Sequence, residues 1–422
     1  MNSTSKRYSA KISLLYIINF YGSPPLNYFE KFCETHKINL TIIKLPSVRS
    51  SLGRLIVDSF IKESNGKIHT ITFNIPYPLP YFTLFIFQYI VNLVICFVHL
   101  RRVKNVSFNI VIGETNFGSA IAYLIKIFKK IKLSVFFNGD ILPNTHSSTA
   151  CFYLPNVSSR FNKIFKLIDN LIVAIQQVLR KIGYRNDLVW YANAKIKKWD
   201  EKQGFLSQDN IIFDPILIDY QEYQKYSKTK KNLNLLGYIG RIDDYVGLDI
   251  IIPSLRYIRK KIPKILLHII GGTNITAEKY KKLAIQHAVE TRIVFHEYVP
   301  KKSDAYKLLA PCALGMCLYK PVAHNVSMIA QPAKPKEYIN VGLPIVVTRN
   351  GPKSGKEIVD FGAGVTSSFD IVSLSEIIIK TLTNKKKYET LRSHVKKYAQ
   401  MNHYEKKYTY FWSILMAKIT HD

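Results

Sequence analysis

Short apolar runs rich in β-branched residues alternate with longer stretches of helical periodicity along most of the 422-residue chain. Strands buried on both faces read as near-continuous apolar runs, and their alternation with amphipathic segments is the sequence form of a parallel α/β sheet. The pattern predicts strands at Ile12 to Ile18, Leu40 to Leu45, Ile68 to Phe73, Phe108 to Ile112, Leu133 to Phe137 and Asp187 to Tyr191. Helices are expected among them at Asn27 to His36, Leu52 to Lys62, Leu79 to Leu100 and Ser119 to Phe128. The polar stretch Tyr220 to Asn232 breaks the rhythm. It resumes with strands at Leu233 to Ile239, Ile265 to Ile270, Arg292 to Phe295, Ala313 to Leu318 and Ile345 to Val347. This length exceeds one ordinary core, so the expected division is residues 1–220, a linker at 221–232, a second domain at 233–395 and a terminal helix at 396–422.

Two segments resemble membrane or targeting elements. Lys6, Arg7 and Lys11 precede the apolar run Ile12 to Phe20, but no small-x-small cleavage site follows, and the run reads as the first strand. Leu79 to Leu100 has no charged residue, and as a helix on the order of 33 Å long it has the reach to cross a bilayer. Strands on both sides argue against spanning, because a sheet split across a membrane leaves unpaired edges. Gln88, Asn92 and His99 share one face of this helix, while the rest is apolar all round. Arg101, Arg102, Lys104 and the run Ile125 to Lys132 add positive charge in the same domain, so partial insertion into an anionic membrane surface is expected. The alternative is a core helix covered by its neighbours.

Composition narrows the partners. The net charge of +31, from 60 Lys and Arg against 29 Asp and Glu, calls for an anionic partner. No helix-turn-helix, zinc or RNA-recognition signature is present, which turns the reading from nucleic acid towards phosphorylated substrates and lipid surfaces. The five cysteines form no CxxC and no zinc-spaced cluster, as expected of reduced thiols in a cytosolic protein. There is no Asp-x-Asp, and neither a metal nor a cofactor is expected.

The chemistry concentrates in Gln331 to Thr348, QPAKPKEYINVGLPIVVT, which reads as loop, short helix and buried strand. Lys334 and Glu337 lie three residues apart, on one face of the first helical turn, where backbone N–H groups attract anions. A cation there suits a diphosphate, and a carboxylate suits a sugar diol. Pro332, Lys334, Glu337, Tyr338, Gly342 and Pro344, with the strand that follows, resemble the nucleotide-sugar loop of family-4-like retaining glycosyltransferases of the GT-B fold. The fold this implies is α/β, with two doubly wound, Rossmann-like parallel-sheet domains facing across a cleft. Gly240-Arg241 is similar to the family's turn against the donor diphosphate, and Gly271-Gly272 to its glycine turn under the nucleotide.

The resemblance implies Arg241 and Lys334 as catalytic charge stabilisers and Gly240, Arg241, Gly271, Lys334 and Glu337 as the nucleotide-sugar site. Gly22, Glu114, Asn138 and Asp140, at the carboxyl ends of first-domain strands, are the acceptor-side candidates. For each of these, a turn or capping role is the plainer alternative. The chain departs from the family at Val246, where relatives carry a lysine, and at Ile329, where many carry a second glutamate. Besides lysine and tyrosine, His324 is the one titratable candidate of that loop. Gly351 to Lys356, GPKSGK, is one residue short of a phosphate-binding loop and reads as a loop before a helix that Glu357 caps.

The expected activity is metal-independent transfer of a sugar, with retention, from a nucleotide diphosphate sugar to a hydroxyl acceptor, including lipid-linked ones. The expected location is the cytoplasm, peripherally at the inner face of the membrane. A nucleotide-sugar epimerase of the same fold and a non-enzymatic basic protein binding anionic surfaces are the competing readings.

Overall fold

The computed structural model describes residues 12–18, 24–51, 54–76, 81–103, 106–139, 162–272, 274–322, 325–329 and 331–420. The chain divides into two compact units, Met1–Pro215 with Tyr410–Asp422, and Ile216–Thr409.

The first unit runs β1 (Ser13–Ile18), α1 (Pro24–Thr35), β2 (Asn39–Ser51), β3 (Arg54–Lys62), β4 (Ile68–Pro76), α2 (Tyr81–Arg102), β5 (Ile110–Glu114), α3 (Thr115–Phe128), β6 (Leu133–Asn138), α4 (Asn162–Gly183), β7 (Leu188–Tyr191), α5 (Ala194–Lys202) and β8 (Asn210–Ile212). Its sheet has the order β4-β3-β2-β1-β5-β6-β7-β8. From β2 through β8 every pairing along β2-β1-β5-β6-β7-β8 is parallel, and strands such as LLYII and VFFN are buried along almost their whole length.

The other edge departs from the sequence reading. Leu52 to Lys62 is expected as a helix, but its described part, Arg54–Lys62, is strand β3, and β2-β3-β4 form an antiparallel extension. The reason lies in the period of the segment: Ser59 and Ile61 are buried while Asp58 and Phe60 are half-buried, an alternation of two that matches a strand. The β2–β3 register shifts between Lys44 and Ser47. Pro46 falls within that shift, at a bulge, where a missing N–H is tolerated. Lys44 pairs with Asp58 across the two strands at 2.8 Å.

Helix α2 packs on β2 and β3 with its polar side inward. Asn92 and His99 are buried, and the His99 ring meets the Ser59 hydroxyl at 2.9 Å, which in turn donates to the Lys44 carbonyl at 2.6 Å. Among the described residues no helix is long and apolar enough to cross a membrane. Cys33, Cys96, Cys312 and Cys317 are buried free thiols, and Cys151 lies outside the described residues.

The second unit comprises α6 (Tyr220–Tyr226), β9 (Leu235–Ile239), α7 (Leu248–Ile258), β10 (Leu266–Ile270), α8 (Asn274–Gln286), β11 (Ile293–His296), α9 (Lys302–Leu309), β12 (Leu314–Cys317), α10 (Lys334–Asn340), β13 (Ile345–Thr348), α11 (Lys353–Asp360), β14 (Gly364–Ser367), α12 (Ile371–Leu382) and α13 (Lys385–Met401). Its sheet, β11-β10-β9-β12-β13-β14, is parallel throughout. Lys353 to Lys356, read as a loop, are already helical, and Glu357 pairs with Lys353 one turn earlier instead of capping the helix.

A last helix, α14 (Tyr404–Thr420), begins in the second unit, and from Tyr410 onward it belongs to the first. Phe411 completes an aromatic cluster there, 4.3 Å from the Trp190 ring centre and 4.7 Å from that of Phe213. Trp412 adds a contact to Phe32.

Candidate active site

In the second unit the chain winds one way from β9 through β10 to β11, and the other way from β9 to β12, β13 and β14. Such a reversal leaves a crevice at the carboxyl ends of the two central strands. Ile239-Gly240-Arg241 leave β9 at this point, and a cavity of about 530 Å³ opens there, lined among others by Gly240, Arg241, Gly271, Tyr298, Tyr306 and Glu337.

Glycines make the floor. Gly240 has φ +114°, and a Cβ there would stand 2.8 Å from the Lys334 Cε. Gly271 has φ +115°, and its Cβ would meet the Gly240 carbonyl at 2.7 Å. Both conformations favour glycine, and the missing side chains let two turns and a lysine pack against one another.

Lys334 opens helix α10 with Pro335 following it. Its ammonium lies over the Tyr238 ring, 4.2 Å from the centroid, and donates to the Tyr238 hydroxyl at 2.5 Å. The Tyr319 ring flanks it at 5.8 Å. Burial among these rings pushes the Lys334 pKa down to about 8. Arg241 is 82% exposed and engages Asp243 at 2.8 Å, a surface contact that a phosphate can displace.

Glu337 sits one turn into the same helix. It accepts from the Tyr306 hydroxyl and lies 3.2 Å from the Lys302 ammonium. The Asn340 amide donates to Tyr306 at 3.1 Å, and the Asn340 carbonyl oxygen accepts from the Asp219 N–H at 3.0 Å. A chain of hydrogen bonds therefore fixes the carboxylate at the cavity wall, which Tyr306 and Lys302 also line. Tyr238, Tyr298, Lys302 and Tyr306 were not singled out by sequence. Only Tyr238, two residues ahead of the Gly240-Arg241 turn, carried a positional signal.

Val246 is buried in the core of the unit at 4% exposure. No cation stands there; Arg241 and Lys302 line the cavity, and Lys334 lies against the Gly240 turn that forms part of its wall. Ile329 is half-buried and supplies no carboxylate.

In the first unit, Glu114 ends β5 and precedes α3, and burial raises its carboxyl pKa to about 8. Among the described residues the buried Glu114 Oε2 has no hydrogen-bond partner. Asn138 ends the neighbouring strand β6, where it is buried and its amide donates to Asp200 at 2.5 Å. Asp200 also holds the buried Arg180 guanidinium. Gly22, Asp140 and His324 lie outside the described residues.

Residues 219–400 match the family model of glycosyl transferases group 1. No curated protein matches the chain in sequence. Solved structures match nearly all of its length. Sucrose-phosphate synthase from Thermosynechococcus elongatus superposes with a TM-score of 0.63 at 11% identity, over 97% of this chain and 100% of that one. Anabaena HepE in complex with UDP and glucose gives 0.55 at 14% identity, over 95% and 99%. WaaG, a glycosyltransferase involved in lipopolysaccharide biosynthesis, gives 0.53 at 14% identity, over 93% and 97%. The fold is GT-B, as the resemblance of the Pro332 to Pro344 segment implied.

Proposed function

On the premise of a GT-B chain whose second unit matches glycosyl transferases group 1, we propose that this protein moves a sugar, with retention, from a nucleotide diphosphate sugar to a hydroxyl acceptor. UDP and GDP sugars are the donor classes, and a lipid-linked or membrane-proximal glycan is the acceptor class. One observation carries the reading: Gly240, Arg241 and Glu337 line one cavity at the reversal point of a parallel sheet, with Lys334 packed against the Gly240 turn and the carboxylate braced by Tyr306.

The donor diphosphate lies on the Gly240 and Gly271 turns, with Arg241 and Lys334 on its oxygens and Glu337 on the ribose diol. The bond from the anomeric carbon to the diphosphate oxygen breaks while a bond to the acceptor oxygen forms on the same face. The acceptor proton passes to the departing phosphate oxygen. Charge grows on the diphosphate during this step, so fixed cations there lower the barrier directly. The cations are supplied by the chain itself, and the reaction is expected to proceed in EDTA. Glu114 and Asn138 are proposed on the acceptor side.

The test is a thermal-shift panel of UDP, GDP, ADP and their sugars, followed by NMR of the product's anomeric configuration. A ligand at 100 times its dissociation constant adds about 2.7 kcal/mol, a shift of several degrees. Stabilisation by one nucleotide class and a product of retained configuration are the expected results. A folded protein that none of them stabilises sinks the donor site, and an inverted product sinks the mechanism.

The lowered pKa of Lys334 gives this reading a pH signature. The ammonium is the form that binds an anion, and the free protein loses it as pH rises through about 8. The diphosphate raises that pKa in the complex, so donor binding takes up a proton above pH 8. Affinity is expected to be flat below about pH 7.5 and to fall up to about tenfold per pH unit above 8. Calorimetry in buffers of different ionisation enthalpy reads the proton directly; a proton count of zero at pH 8.5 rejects the assignment.

A further inference from the structure

The described part of α2 carries its polarity inside out. Asn92 and His99 face the sheet and are buried, whereas Val94 and Phe97 on the outer side are 54% and 49% exposed. On α3, Ile127 and Phe128 are likewise 58% and 75% exposed. A helix lying on a water-soluble sheet normally shows the reverse. Between α2 and α3 runs an apolar groove of about 190 Å³, lined by Leu93, Phe97, Leu100, Leu124 and Phe128, with Arg101 and Lys129 also on its wall.

The charge where α2 ends and just past α3 is of one sign, while Lys126 within α3 pairs with Asp187. Arg101 and Arg102 end α2, Lys129, Lys130 and Lys132 follow α3, and from residue 64 to 139 the sole acidic residue is Glu114. Glu114 opens α3, at the end opposite Lys129. A narrow apolar trough whose wall carries an arginine and a lysine matches an acyl chain joined to an anionic headgroup. A second protein copy would bring the same positive charge to the contact and repel it.

Resting on the membrane-proximal reading above, we propose that this α2–α3 groove seats an acyl chain of an anionic phospholipid bilayer, with Arg101 and Lys129 against the headgroup phosphates. The face is thus the membrane-docking surface of the first unit, and Phe97 and Phe128 are its apolar contacts.

Flotation of the full chain with vesicles tests this. Binding is expected with vesicles containing phosphatidylglycerol and not with pure phosphatidylcholine, and it should weaken with salt. Phe97→Asp with Phe128→Asp is expected to reduce partitioning by at least about tenfold, since each exchanges an apolar contact for a charge at an anionic surface. Arg101→Glu with Lys129→Glu should do the same. In a Phe128→Trp variant, lipids brominated on the acyl chain should quench fluorescence beyond the background of the three native tryptophans.

Failure of the wild type to bind anionic vesicles overturns the proposal. So does binding that the aspartate pair leaves intact, or a solution dimer that the same pair dissociates. The donor thermal shift, run on the aspartate variant, separates the two claims: an unaltered shift leaves the donor site standing whatever the vesicles do, and a missing shift in wild type removes the donor site without touching the vesicle result.

Discussion

Replacing Lys334 with alanine is expected to slow sugar transfer by about 100- to 1,000-fold, the usual consequence of removing one fixed donor from the point where charge develops. The loss should appear mainly in kcat, because the diphosphate is more negative on its leaving oxygen in the transition state than in the bound donor. Removing the side chain does little to the fold. Lys334 occupies a place between the Tyr238 ring and the Gly240 turn rather than in the hydrophobic core, and Tyr238 keeps a second hydrogen bond to the Arg241 carbonyl at 2.5 Å. Arginine is a poor substitute here. The lysine Cε already stands 2.8 Å from where a Cβ on Gly240 would be, leaving little width for a planar guanidinium. Steady-state kinetics with the identified donor, on Lys334→Ala and Lys334→Arg, measures both effects. An alanine variant within threefold of wild type contradicts the role.

Glu337→Ala is expected to weaken donor binding by about 10- to 100-fold while changing kcat less. Hydrogen bonds to a charged acceptor contribute about 1.5–3 kcal/mol, and a ribose diol would give two donors to this one carboxylate. The carboxylate is held in place by Tyr306 and Lys302, and behind Tyr306 by Asn340. Tyr306→Phe therefore serves as the graded comparison. It removes the brace but keeps the ligand-facing oxygen, and a smaller loss of affinity is expected. Isothermal titration with the nucleotide alone distinguishes ribose from sugar contacts. If the nucleotide binds Glu337→Ala as tightly as wild type, the carboxylate acts elsewhere.

Much of this site is local, which is why it is legible in the sequence. Lys334 and Glu337 share a single helical turn, and Gly240-Arg241 and Gly271-Gly272 are short turns whose backbone angles only glycine adopts readily. The residues that tension the site are not local. Tyr238 is on β9 and Tyr306 and Lys302 on α9, and nothing but tertiary packing brings them to α10. Asn138 shows the same limit in the first unit, for the Arg180–Asp200 pair that engages it comes from α4 and α5.

The fold shows a similar split. Strands buried on both faces announce themselves by composition, whereas β3 alternates in burial from Asp58 to Lys62 but not in residue type, its polar residues falling at Arg54, Asp58, Ser59 and Lys62, so its sequence alone resembles a helix. In α2 the polar positions Asn92 and His99 were visible as one face, but whether that face meets water or the sheet depends on Ser59, which belongs to the misread strand.

The aromatic cluster of the first unit has a consequence for the order of events at the ribosome. Trp190 and Phe213 must wait for Phe411, which is translated about two hundred residues later, so the first-made half of the chain is the last to close its core. The intervening half, whose sheet strands all fall between Leu235 and Ser367, can condense first and shorten the loop that Phe411 has to span. Nascent chains halted before residue 411 should then resist proteases over the later half while the earlier half is still cut, a reversal of the usual vectorial sequence.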